Sequence, residues 1–194
     1  MRRLILASAS PARLRLLRAA GLDPEVVVSG VDEATASDDP TEIALELSQQ
    51  KANAVADVHP DALVLACDSV LEFGGEAYGK PATAADAVAR WRQMRGRTGR
   101  LLTGHCIVDR TNRCEVAGIV GTTVHFGQPT DAEIDAYVAT GEPLEVAGAF
   151  TLDGLSAPFI DGVDGDPGNV IGVSLPLVRA LLLQLGVDIT SLWR

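Results

Sequence analysis

Strand and helix signals alternate along the whole of this 194-residue chain, and that alternation limits the fold more than any other feature. Residues 3–7 read as a short buried strand. A helix follows from Pro11 to about Ala20, with Ser10 as N-cap, Pro11 in the first turn and Gly21 as its stop. Residues 25–28 read as a second short strand, and Asp39-Pro40-Thr41-Glu42 opens a helix running to about Asp57. Residues 63–71 form a strand, and a glycine turn within residues 72–76 leads to a short partner. The remaining order is a helix over 83–94, long antiparallel strands at 101–109 and 116–126, a helix capped by Thr130-x-x-Glu133, and an apolar helix opened by Ser174 and Pro176. Elements mixed in this order predict an α/β fold, with a mixed β-sheet flanked by helices. No repeat, low-complexity stretch or linker divides the chain, so residues 1–194 read as one domain.

Charge narrows the partners. The formal net charge of −10 disfavours nucleic acid and anionic membranes, which are polyanions themselves. A small phosphorylated ligand responds to local charge instead, and the basic residues are clustered. Arg2, Arg3, Arg13, Arg15 and Arg18 form one group and Arg90, Arg92, Arg95, Arg97 and Arg100 another, most of them read as solvated helix faces. Cys67, Cys106 and Cys114 are odd in number without CxxC spacing, which suits reduced thiols in a cytoplasmic protein. His59, His105 and His125 stand apart and suggest no zinc site. The apolar run at residues 4–7 is too short for a signal peptide or a membrane span.

Four places break local rules in ways that chemistry explains. In Leu6-Ala7-Ser8-Ala9-Ser10-Pro11-Ala12-Arg13 a strand ends, two hydroxyls follow and a helix begins with free backbone N–H groups, a ready anion site. Arg13 opposes the helix dipole there unless a phosphate lies between them; Ser10 alone is only an N-cap. Asp68 interrupts the apolar row Val64, Ala66, Val70 on one face of its strand, where a carboxylate is costly unless paired or metal-bound. Lys51 and Lys80 are the only lysines beside fourteen arginines. Lys51 lies on the inward stripe Ile43, Leu47, Lys51, Ala54, where snorkelling to the rim competes with pointing into a polar site. Lys80 ends Gly74-Gly75-Glu76-Ala77-Tyr78-Gly79-Lys80, which is no P-loop because Pro81 replaces the metal-binding hydroxyl. Glu33 reads by itself as a surface acid. Asp161, Asp164 and Asp166 read as a tight solvated loop near the site rim; Pro167, and Leu175 at the twelfth position, exclude an EF-hand.

Together these segments resemble the Maf family of nucleotide pyrophosphatases. The matching pieces are residues 4–13 with their S-x-S-P-x-R signature, Val31-Asp32-Glu33, Lys51-Ala52, Cys67-Asp68-Ser69, Gly79-Lys80-Pro81 and Ala147-Gly148-Ala149-Phe150. The actinobacterial branch matches further at Asp166-Pro167-Gly168-Asn169-Val170-Ile171-Gly172 and the Leu192-Trp193-Arg194 ending. The resemblance implies an elongated mixed sheet with a cleft between two lobes, similar to inosine triphosphatases. It implies hydrolysis of ordinary, non-standard or modified nucleoside triphosphates to monophosphate and pyrophosphate, a divalent cation (Mg2+ or Mn2+), and often a homodimer. It assigns Asp68 as proton acceptor, Glu33 with Asp68 to the metal, and Ser8, Arg13, Lys51 and Lys80 to the triphosphate. Base and ligand are both open to Asp68 at this level.

Three departures bear on the base. Ala12 stands where a second arginine is common, Ser69 where the pyrimidine-preferring branch has threonine, and Asp153 where that branch has glutamine and the 7-methylguanosine-triphosphate branch glutamate. An acid at Asp153 points to a base presenting donors, such as a guanine edge; otherwise it caps the turn at Gly154. Two rivals remain. A nucleotidyltransferase would carry a glycine-rich loop in place of Ser8-Ala9-Ser10, and a non-catalytic nucleotide-binding regulator of cell division would not need Asp68, Glu33 and both lysines.

Overall fold

In a computed structural model describing residues 2–194, the elements are β1 (Leu4–Leu6), α1 (Pro11–Ala19), β2 (Glu25–Val26), α2 (Pro40–Val58), β3 (Leu63–Phe73), β4 (Glu76–Tyr78), α3 (Ala84–Met94), β5 (Thr98–Asp109), β6 (Cys114–Phe126), α4 (Asp131–Ala139), β7 (Ile160–Asp164), α5 (Pro167–Ile171) and α6 (Leu175–Gln184). Hydroxyl or carboxylate caps set where helices begin. Ser10 accepts from the Arg13 N–H, Asp39 from Thr41 and Glu42, Thr83 from Asp86 and Ser174 from Leu177. Thr130 and Glu133 form a reciprocal capping box.

The sheet is mixed, seven-stranded and flanked by helices, as the alternation predicts. Its order is β2-β1-β3-β5-β6-β7, with β4 also on β3. β1 runs parallel to β2 and β3, and along β3, β5, β6 and β7 each strand is antiparallel to its neighbour. β3 is paired with β5 along ten residues, but on its other edge β1 pairs only through Leu65 and β4 only from Leu71. Among the described residues no strand pairs with 66–70 on that side, and the sheet forks there. Gly74 and Gly75, with φ of +64° and +89°, make the hairpin that folds β4 back.

Apolar clusters cover the sheet on both faces. Leu17 of α1 and Val178, Leu181 and Leu182 of α6 pack with Leu4, Leu6, Leu63 and Leu65. On the opposite face Ala52, Val55 and Ala56 of α2 pack with Ile5, Val64, Ala66 and Cys106. A Cβ on Gly104, the β5 residue opposite Asp68, would strike the Ala44 carbonyl, so glycine lets the α2 backbone rest directly on the sheet at that level. Beyond the fork a separate cluster forms around Trp91, which meets Phe126, Tyr137 and Phe159 edge-on and donates its indole N–H to the Ala149 carbonyl at 2.8 Å.

His105 is fully buried and explains itself structurally. The Ser174 N–H donates to Nε2 at 2.8 Å, which leaves the Nδ1 proton for the Thr103 carbonyl at 3.0 Å. Burial lowers its pKa to about 4, so the ring stays neutral and ties the start of α6 to β5.

One expectation is overturned. Residues 161–166 are not a solvated loop: β7 pairs with β6, and Asp166 caps α5 by accepting from the Gly168 N–H. Gly162 and the acids hid a strand that lies at the sheet edge, where such residues are tolerated with their side chains in water. Strand β2 is shorter than residues 25–28: Val27 makes one further bond to the Leu6 carbonyl at 3.1 Å, and Val28 and Ser29 then line the cleft. No helix among the described residues is long and apolar enough to cross a membrane.

Candidate active site

At the fork lies a cleft of about 910 Å³. Asp68 stands at the middle of the open β3 edge, its side chain 11% exposed. Lys51 reaches it from α2, with Nζ 2.5 Å from Asp68 Oδ1 and 2.7 Å from Glu33 Oε1. The inward stripe therefore delivers the ammonium into a polar site; it does not snorkel. Burial pushes the Asp68 pKa up, against the pull of Lys51, while the hydrogen bond from Lys51 holds Glu33 below the usual carboxylate range. One carboxylate is thereby made more basic than its neighbour.

Arg13 is held as firmly. Its guanidinium donates to the Gly172 carbonyl at 2.8 Å, to Ser8 Oγ at 3.1 Å and to Ser69 Oγ at 3.0 Å. Ser69 passes its proton to Thr103 Oγ1 at 3.0 Å, because Thr103 spends its own on the Asn169 carbonyl at 3.1 Å. Ser8 Oγ also accepts from the Ser10 N–H, so its hydroxyl proton is left to donate into the cleft. All three bonds from Arg13 go to neutral oxygens, and among the described residues it forms no ion pair, so the Asp68 and Glu33 carboxylates act on its charge only at longer range. That is the arrangement an anion requires.

The facing wall is built differently. Lys80 follows β4, is exposed, and has no ion pair among the described residues. Beside it are a 3-10 turn at Glu142–Glu145, another at Ala147–Ala149 and a loop over residues 151–156. Ala149 has φ of +62°, a left-handed conformation unusual outside glycine, secured by the bond from Trp91. Glu142 braces the loop by accepting from Thr151 Oγ1 at 2.6 Å, from the Leu155 N–H at 3.0 Å and from Tyr137 Oη at 3.2 Å. Asp153 lies within the loop, and its carboxylate takes a 2.9 Å bond from Arg15 of α1 and does not cap the turn at Gly154.

Ser8, Ala12, Arg13, Glu33, Lys51, Asp68, Ser69, Lys80 and Asp153 all line this one cleft. Sequence reasoning missed Arg15, Glu142, Thr103 and Asn169. The partners of Arg15, Thr103 and Asn169 lie far along the chain, Arg15 and Asp153 being 138 residues apart, and Glu142 meets Thr151 and Leu155 through a turn that no local pattern marks. Among the described residues no group of three or more His, Cys, Asp or Glu side chains could hold a metal ion.

The family model for Maf-like protein matches residues 3–185. A Streptomyces avermitilis protein named nucleoside triphosphate pyrophosphatase is 63% identical, over 99% of this chain and 95% of its own length. Proteins of the same name from Salinispora tropica (56% identical, 98% of this chain and 87% of that one) and Mycolicibacterium gilvum (50% identical, 100% and 99%) are also similar. Among solved structures, that of the Staphylococcus aureus Ham1 protein aligns with TM-score 0.46 and 13% identity, over 65% of this chain and 72% of that one.

Proposed function

This chain belongs to the Maf family, and on that premise we propose that it hydrolyses nucleoside triphosphates to a nucleoside monophosphate and pyrophosphate. One observation carries the reading: a desolvated carboxylate, Asp68, shares a cleft with Arg13, Lys51 and Lys80. Phosphoryl chemistry is mostly positioning and charge stabilisation, and needs cations on the phosphates and a base for water. Arg13, Ser8 and Lys80 grip the triphosphate. Asp68, with its raised pKa, accepts the proton of a water that attacks the α-phosphorus. The cleft volume falls within the roughly 300–1,000 Å³ usual for small-molecule sites.

A divalent cation suits the residues present. Asp68 and Glu33 oxygens already converge on one cationic point, Lys51 Nζ, and both are hard donors of the kind Mg2+ or Mn2+ prefers. Two carboxylates are enough when substrate phosphates complete the shell. Held by Asp68 and Glu33, such a cation would supply Lewis-acid polarisation of the phosphate and a more acidic water. The free thiols Cys67, Cys106 and Cys114 suit a reducing cytoplasm.

Chromatography of products from a panel of ordinary and modified nucleoside triphosphates, with Mg2+ or Mn2+, tests the reaction. Monophosphate and pyrophosphate are expected. Diphosphate and orthophosphate overturn it, and pyrophosphate released only with a sugar-phosphate acceptor favours a nucleotidyltransferase.

A further inference from the structure

We propose that Asn169, acting through Thr103 and through helix α5, is the positioning residue that holds Arg13 for the triphosphate; this rests on the reading of Arg13 given above. Arg13 leans on two groups far from its own helix, the Gly172 carbonyl at 2.8 Å and Ser69 Oγ at 3.0 Å. Both supports trace back to Asn169. Ser69 donates to Thr103 Oγ1 at 3.0 Å, and Thr103 donates to the Asn169 carbonyl at 3.1 Å. Gly172 closes α5, its N–H donating to the Gly168 and Asn169 carbonyls at 3.0 and 3.1 Å.

The helix cannot set that position alone. α5 spans five residues, and a helix so short has too few internal bonds to persist without tertiary support. Asn169 carries the only polar side chain in it and is fully buried. Its Nδ2 donates to the Leu101 carbonyl of β5 at 3.2 Å and to Thr122 Oγ1 of β6 at 3.1 Å, so one amide pegs the helix to two strands. Thr122 in turn donates to the carbonyl of Asp166, the residue that caps α5, at 3.0 Å. At the other end Gly172 has φ of +125°, and a Cβ there would come within 2.9 Å of Arg13 Nε. Glycine lets the guanidinium lie directly against this backbone.

Core filling does not explain the amide. Asn169 Oδ1 receives no bond from any described residue, whereas leucine, similar in shape, would have no polar atom to desolvate. Val170 and Ile171, the next residues along α5, line the cleft, so the peg sits directly behind the wall that faces the substrate. A guanidinium grips phosphate through N–H groups in fixed directions, and a small misplacement of such a group costs much in rate. Asn169 touches no reacting atom; it fixes the one side chain that does.

The test compares wild type, Thr103→Val, Thr103→Ser and Asn169→Leu, each checked by melting temperature and each also built on Arg13→Ala. The Arg13 Nε–H resonance, assigned by its loss in Arg13→Ala, is followed by heteronuclear NMR, and wild type should show it protected from solvent exchange. Thr103→Val keeps the shape and removes the hydroxyl. It should shift the resonance and lower kcat/KM, for the best nucleoside triphosphate of the panel, about tenfold, the scale of one hydrogen bond. Asn169→Leu should abolish the protection and lower kcat/KM on the order of 10²-fold. Thr103→Ser, which restores the hydroxyl, should recover both readouts. On Arg13→Ala the same changes should have little effect, because no guanidinium is left to position. An unchanged Arg13 resonance in folded variants, or equal falls in both backgrounds, overturns the proposal and leaves the pyrophosphatase reading standing. If Asn169→Leu does not fold, the two Thr103 variants decide. A wild type inactive on every nucleotide overturns the pyrophosphatase reading, and the resonance then decides the positioning by itself.

Discussion

Asp68 and Asp153 are each paired with a cation from a facing element, yet the two walls of the cleft hold them by different means. Asp68 sits on a strand paired with β5 along its length, and α2 is seated on that sheet through the gap at Gly104, so topology sets the distance to Lys51. Asp153 stands on a loop whose shape depends on a few side-chain bonds from Glu142 and Ser156. A group built into the sheet is preorganised and desolvated, which is what proton transfer requires. A group on a braced loop can be exchanged without disturbing the sheet, which is what substrate choice requires.

The sharpest test of that contrast is Asp68→Asn. Because the wall is preformed, the variant should melt like wild type while kcat falls on the order of 10²-fold or more, the scale for losing a general base. Near wild-type turnover in a normally folded variant removes Asp68 from the chemistry.

Acid should loosen the sheet-built wall next. His105 has its pKa lowered to about 4 from an ordinary 6.5, so its contribution to stability is complete above pH 6.5 and lost as pH falls towards 4. The loss approaches about 3 kcal/mol at the lower end. Urea denaturation at pH 7 and pH 4.5 should show that slope in wild type and a shallower one in His105→Asn. Equal slopes refute the assignment.

The smallest effect belongs to the loop wall. Glu142→Gln weakens its bonds to Thr151 and Leu155, and should cost about 1–2 kcal/mol. It should raise KM with kcat nearly unchanged, because Asp68 stays where it is. A fall in kcat comparable to that of Asp68→Asn would mean that the two walls are not separable.

How much of this could be read from sequence follows the same division. The α/β order, the helix caps and the rule-breaking Asp68 and Lys51 are local signals, written in periodicity, capping residues and a carboxylate in an apolar row. Arg15 carries no such mark: it is one arginine among several in α1, and only the fold brings it to Asp153. Glu142 likewise reads as one more surface acid until residues 151–155 return to it. Strand β7 carries no such signal, because edge strands take the same glycines and acids as loops. The resemblance supplied what residue types alone could not, namely which anion the early helix turn is built to meet.

The fork in β3 has a consequence beyond catalysis. An open sheet edge is ordinarily a template on which another chain can add a strand, and proteins guard such edges with charge, bulges or a covering element. Here the open stretch is five residues, closed by β1 at one end and β4 at the other, and it carries a buried ion pair at its centre. It is too short and too recessed for a strand, but long enough for a nucleotide. The interruption that creates the site also keeps it from becoming a point of self-association, so loss of the β4 hairpin should turn a docking slot into an aggregation seed.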